Sequence, residues 1–169
     1  MAAGEIIARV GAALPGKVRE SHAQCGDETI IIAREDALEV FRYLKDSPEL
    51  SFNFLMDVTA VDYLGREPRF EVVYHLYASR HHHRLRVKIQ VSEGDPWVFS
   101  LVGLWKSANW LEREVWDMFG IRFAGHPDLR RILMYEEFQG HPLRKDYPVA
   151  KRQPLVEERD PIETPWGKR

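Results

Sequence analysis

The sequence has a single cysteine, Cys25, in 169 residues. That excludes an internal disulfide framework, and with it a cysteine-based zinc or iron–sulfur site held by this chain alone. It fits a reducing compartment. No run of about 18 apolar residues occurs, so no helix is expected to cross a bilayer. No basic stretch leads into an apolar core near Glu5, so no secretory signal is expected. An excess of one charge is also missing. Lys and Arg number 24 against 26 Asp and Glu, for a net charge of −2 and a pI near 6.4. There is then no global pull toward nucleic acid or an anionic membrane. Nor is there a glycine-rich phosphate loop.

What is present suffices for a globular core. Apolar residues make up 44% and charged residues 30%. The length suits one domain, or one domain with an appendage. Ile6, Ile7, Val10 and Leu14 recur at helical spacing over 4–14, and Pro15-Gly16 ends that helix. Lys17–Ala23 and Thr29–Ala33 read as strands about a Gly26-Asp27 turn. Glu35–Lys45 is an amphipathic helix with Leu38, Phe41 and Leu44 on one stripe and acids at its start. Residues 51–61 alternate, which assigns Phe52, Phe54, Met56 and Val58 to a buried face. Phe70, Val72, Tyr74 and Leu76 alternate next, then Leu85, Val87, Ile89 and Val91. Three strands joined by short turns make an antiparallel meander, with the helices on its apolar face. Asp95-Pro96 has the form of a helix start, although a short buried strand over Trp97–Trp105 is the other reading. The fold class is therefore α+β: a mostly antiparallel sheet covered by helices, with an extended C-terminal arm.

That arm begins in the densest stretch of the chain, Glu112–Tyr147. Asn109 and Glu112 have capping-box spacing, which opens a helix over about 110–119. Its core face would hold Trp110, Leu111, Val115, Met118 and Phe119, and Gly120 stands where a terminating glycine belongs. Beyond Ile121 periodicity is lost, and six of the ten prolines lie there. The division expected is an α+β domain over 1–120 and an arm over 121–169. The arm is too rich in Leu, Ile, Phe, Tyr and Trp for a solvated linker, so it should order by lying on a partner.

The candidates for chemistry are few. His81 and His83 share a strand face but lack a third ligand in sequence, so a solvated basic loop tip is the simpler reading. Arg80, Arg84, Arg86 and Lys88 form a short basic face without a nucleic-acid motif, so no nucleic acid is expected. Asp57, Asp62, Tyr63 and His75 read as structural. Glu112, Arg113, Glu114 and Asp117 are different. Glu114 and Asp117 share a helix face and repel, and Asp117 lies near the helix C-terminus, where a negative charge is disfavoured. Cations should come from Arg122, Arg130, Arg131, Arg144 or Lys145, since arginine pairs carboxylates bidentately. The two Gly-His-Pro steps, at His126 and His141, read as turns that aim the basic residues after them.

L-E-R-E-V-W-D-M-F-G-I-R-F-A-G-H-P-D-L-R-R-I-L-M followed by G-H-P-L-R-K-D-Y-P resembles the signature of the C subunit of proton-pumping NADH:quinone oxidoreductase. That enzyme is respiratory complex I; the photosynthetic relative is called the J subunit. D-V-T-A-V-D-Y at 57–63 and F-E-V-V-Y-H-L-Y at 70–77 resemble it too, and the likeness spans about 29–148. The resemblance implies a non-catalytic subunit of the peripheral arm, in an enzyme that passes electrons from NADH through FMN and iron–sulfur clusters to quinone. Those cofactors would sit in partner subunits and none in this chain. The implied partners are the D and B subunits, with the arm along D, on the cytoplasmic side of a bacterial inner membrane. Membrane association would come only through the complex. Glu112, Arg113, Glu114, Asp117, His126, Arg130, Arg131, His141, Arg144, Lys145, Asp146 and Tyr147 would then be interface and structural residues. The equivalent subunit of a related membrane-bound hydrogenase or other complex I-like enzyme is an alternative reading, and a stand-alone adaptor or nucleic-acid-binding module is one of another class.

Overall fold

The computed structural model describes residues 4–153. Helix α1 (Glu5–Ala13) leads into the hairpin β1 (Val18–His22) and β2 (Thr29–Ile32). Helix α2 (Ala37–Asp46) follows, and then the meander β3 (Phe54–Asp62), β4 (Phe70–Ala78) and β5 (His83–Val91). The five strands form one sheet in the order β1-β2-β5-β4-β3, antiparallel except for the parallel β2–β5 pair. The fold is thus α+β as the sequence implies, and α2 lies in the crossover between the two parallel strands.

One face of the sheet meets the helices. Val40, Phe41 and Leu44 of α2 are fully buried, each worth about 1.5–3 kcal/mol of apolar burial. Phe41 meets Tyr74 of β4 edge-on at 4.8 Å and Trp105 at 6.1 Å. The opposite face carries ion pairs. Lys88 reaches Glu71 across the β4–β5 pair at 2.8 Å, and Arg86 reaches Asp27 at 3.4 Å. Two members of the basic face therefore find their acids within the chain.

Strand β3 departs from the simple alternation. Its register shifts between Leu55 and Asp57, so Leu55 and Val58, three apart, both face the core. Phe54 and Met56, expected inside, are 50% and 42% exposed. A bulge adds one residue and flips the phase of the side chains before it. The histidine loop also differs from expectation. His83 is buried and donates from Nε2 to the Leu50 carbonyl, while His81 bonds the Pro48 carbonyl. The two rings stack at 5.5 Å and hold the α2–β3 loop, so this is a fastening point, not a solvated tip. Burial lowers the pKa of His83, outweighing the bond to the Leu50 carbonyl, which raises it.

No helix starts at Asp95. Trp97–Phe99 is a short strand, β6, pairing in parallel with β7 (Arg122–Ala124). Asp95 accepts from the Trp97 indole instead of capping a helix. Helix α3 (Ala108–Phe119) lies between those strands in sequence and packs on β3. Ile121 and Phe123 are buried in the same core, which runs on past residue 120.

Candidate interface site at the end of helix α3

The last turn of a helix leaves carbonyls without partners. In α3 the capping Gly120 supplies one and the arm supplies three. Gly120 N–H donates to the Trp116 carbonyl at 2.8 Å. His141 Nδ1 donates to the Asp117 carbonyl at 3.0 Å, Leu143 N–H to the Met118 carbonyl at 3.1 Å, and Arg144 Nε to the Phe119 carbonyl at 2.6 Å. Four successive carbonyls are thus satisfied, and the guanidinium of Arg144 sits at the negative end of the helix dipole. Gly120 makes the approach possible. Its φ is +76°, and a Cβ there would fall 2.6 Å from the His141 ring.

Asp117, fully buried, faces the arm with its side chain. Oδ1 takes Arg131 Nη1 at 2.5 Å. Oδ2 accepts three consecutive backbone N–H groups, from Ile132, Leu133 and Met134, at 3.1, 2.9 and 2.8 Å. Burial alone would raise this carboxyl's pKa. The three amides and the guanidinium outweigh it and hold the group below its ordinary value. Arg131 then spans the segment, donating from Nη2 to the Phe138 and Gly140 carbonyls. The expected cation for Asp117 is therefore present, and it comes from the arm.

A second fastening point joins the arm to the sheet. Arg69 is buried and pairs bidentately with Asp62, both bonds at 2.8 Å. It also reaches Glu93 at 2.5 Å and Asp146 at 2.8 Å. Asp62 Oδ2 accepts the Lys145 N–H at 2.8 Å. Arg69 lowers the pKa of both Asp62 and Asp146, and they in turn raise its own. The sequence marks Asp62 as structural but does not single out Arg69. Both residues flank the β3–β4 turn, where Asp62 stands opposite Phe70, so a charged pair there is the available signal.

The other named residues fall in place around these two points. Arg113 donates to the Arg130 and Arg131 carbonyls and lies over Trp110. His126 donates from Nε2 to the Asn109 carbonyl and accepts the Asp128 N–H on Nδ1, which fixes its neutral tautomer. Tyr147 stacks on Phe138 at 5.9 Å. Arg130 pairs with Asp128 and is 69% exposed, Arg122 turns to Asp95, and Glu114 is exposed.

Two expectations at α3 fail. Glu112 closes no capping box, since Ser107 precedes the helix without a side-chain bond. Glu112 is fully buried instead, accepting the Leu101 N–H at 2.6 Å and the Ser100 hydroxyl at 2.7 Å. Burial pushes its pKa up to about 7. Trp110, assigned to the core, is 66% exposed. The arm as far as Lys145 also bonds to α3 and the sheet of its own chain. Residues 154–169 lie outside the described residues. Among the described residues no three His, Cys, Asp or Glu side chains cluster as metal ligands, and no helix is long and apolar enough to cross a membrane.

The chain matches the family described as respiratory-chain NADH dehydrogenase, 30 Kd subunit, over residues 30–153. The chain belongs to this family. The match takes in both fastening points and the whole of α3. Similar relatives include the C subunit of NADH-quinone oxidoreductase from Roseiflexus sp. (strain RS-1), 51% identical over 148 residues, covering 88% of this chain and 85% of that one. The protein of the same name in Geobacter sulfurreducens is 53% identical over 125 residues, covering 73% and 76%. Among solved structures, a trypsin-resistant fragment (1–134) of Nqo5 is 35% identical with a TM-score of 0.64, over 73% of this chain and 96% of that one. A chain of the archaeal membrane-bound sulfane sulfur reductase shares the fold with a TM-score of 0.72 at 22% identity, over 86% of this chain and 85% of that one.

Proposed function

We propose that this chain is a structural subunit of the peripheral arm of NADH:quinone oxidoreductase and carries no catalytic residue of its own. Family membership supports the assignment to that enzyme. The observation that supports a structural role is the use of the signature's charged groups. Asp117, Arg131, His141, Arg144 and Asp146 spend their hydrogen bonds on helix capping, backbone amides and one another. Groups so committed hold shape, and they offer no free acid or base to a substrate.

FMN and the iron–sulfur clusters then belong to partner subunits. The D and B subunits are the partners proposed, with residues 121–169 as the segment docking on D. Exposed groups along it, including Arg130, Lys145, Leu133 and Leu143, give that surface its mixed apolar and basic character. The chain would lie on the cytoplasmic side of a bacterial inner membrane and be held there by the complex. Affinity purification of the tagged full chain from solubilised membranes tests this. Flavin and iron–sulfur signals should elute with it together with D and B. Elution of the chain alone, with those signals in other fractions, would overturn the proposal.

A further inference from the structure

Two polar groups are shut between the sheet and helix α3. Glu112 is fully buried, and so is Tyr74 in the middle of β4. Packing brings them into one region. The Leu101 N–H donates to Glu112, and the Leu101 carbonyl accepts the Trp105 N–H at 2.9 Å. The Trp105 ring meets Phe41, and Phe41 meets Tyr74, edge-on in both cases. Burial, and after it the charge of Glu112, raises the pKa of the Tyr74 hydroxyl. That hydroxyl has no hydrogen-bond partner among the described residues. A buried polar group left so costs about 1–3 kcal/mol.

The charges around Glu112 are engaged elsewhere. Lys45 of α2 stops at the Leu104 carbonyl, at 2.6 Å. Arg113, beside it on α3, turns to carbonyls of the arm, and Arg122 of β7 turns to Asp95. Arg131 of the arm is held by Asp117, and Asp62 of β3 by Arg69. Asp57 of β3 and His75 of β4 lie on the face of the sheet away from Tyr74. What acts on the Glu112 carboxyl is burial, the Ser100 hydroxyl and the Leu101 amide.

Ser100 suits both protonation states of that carboxyl. Its hydroxyl oxygen lies 2.7 Å from Oε2 and accepts the Val102 N–H at 3.3 Å. A neutral Glu112 donates to that oxygen, and an ionised one accepts from the hydroxyl. A carboxylate still has open acceptor positions after taking Ser100 and Leu101, and Tyr74 holds an unused donor.

We infer that Glu112 binds and releases a proton within the folded chain, and that Tyr74 is the donor that turns to the carboxylate when the proton leaves. The neutral acid leaves the tyrosine hydroxyl unpaired. The carboxylate pairs it, so one bond forms as one buried charge appears, and the proton passes to solvent. The result is a proton-linked joint between the sheet and α3, the helix on which the arm is fastened. The joint is the same whichever enzyme holds the chain.

Carbon-13 NMR of the full chain, labelled at the Glu side-chain carboxyl and the Tyr ring Cζ, tests this from about pH 5 to 9. Glu112→Gln and Tyr74→Phe identify the two signals by their loss. The Glu112 signal should titrate at about 7, and the Tyr74 signal should step at the same midpoint. Glu112→Gln should abolish the Tyr74 step. Tyr74→Phe should raise the Glu112 midpoint by about one pH unit, since a bond to the charged form is lost. That substitution keeps the ring packing and removes a hydroxyl without a partner, so the fold is kept. A Glu112 midpoint unmoved by Tyr74→Phe would overturn the inference. So would a Tyr74 signal without a step in the native chain, or a Glu112 midpoint in the ordinary carboxyl range.

Discussion

Asp117 and Arg131 meet at 2.5 Å, fourteen residues apart in sequence, and that contact joins the end of a helix to an arm without regular structure. It does more than neutralise a charge. Arg131 sits on Asp117 Oδ1, while Oδ2 gathers the three amides that follow Arg131. The carboxylate needs both oxygens as acceptors.

Asp117→Asn is therefore not a mild change. Whichever way the amide turns, its NH2 faces either a guanidinium or three N–H donors. The expected loss is about 3–5 kcal/mol, as for breaking a buried charged pair. Urea unfolding measures it. Limited proteolysis should show faster cleavage within 125–147 before the sheet is lost.

Glu112→Gln should behave in the opposite way. The Ser100 hydroxyl can turn and accept from the new amide, while the other oxygen keeps the Leu101 N–H. Glu112 has a folded pKa raised to about 7, against 4.5 for the free group. A raised acid favours folding below its unfolded pKa, and that contribution is lost as pH rises through the folded value. Ionising it at pH 8 costs roughly 3 kcal/mol. The variant should be more stable than the native chain at pH 8 and close to it at pH 4.5. Thermal unfolding across pH 4.5–8 checks the convergence.

Acid should loosen the arm. Asp62, Asp117 and Asp146 all have lowered pKa values in the folded chain. Their contribution is present above the unfolded carboxylate pKa, about 4, and is lost as pH falls through the folded values. Protection of the amides of Ile132–Met134 and Lys145, taken relative to the intrinsic exchange rate at each pH, should fall from about pH 4 downward, and amides in the middle of β4 should respond later.

Gly120→Ala should detach the cap of α3. The positive φ alone costs about 1–3 kcal/mol for a residue with a side chain. The new Cβ also displaces the His141 ring, so the Asp117 carbonyl loses its donor. Two-dimensional NMR should show shifts at His141 and Arg144 that Gly103→Ala, where a Cβ meets nothing, does not cause.

Much of this is legible in the sequence, for reasons that differ by element. The meander and hairpin are local, and their alternation follows from the pleat. The need of Asp117 for a cation follows from two local costs, like charge on one face and the helix dipole. The bulge at Met56 is hidden, since nothing in F-N-F-L-M-D marks an added residue. β6 is hidden too, because its partner β7 lies past an entire helix and three residues of alternation are too few to read. Glu112 misleads through a spacing that suits a capping box equally well, and burial of an acid leaves no local mark. Trp110 misleads because an apolar residue at helical spacing implies a core face only where another element covers it. Arg69 escapes notice because its three acids come from three separate places in the chain.

The central claim is that the signature residues hold an assembly together and take no part in the reaction. The most direct measurement is NADH:quinone turnover per assembled flavin, in membranes whose own copy of this subunit is replaced by Arg69→Gln, Asp117→Asn or Arg131→Gln variants. Each should lower the amount of assembled enzyme and leave turnover per flavin unchanged. A variant that assembled fully but turned over slowly would contradict the account.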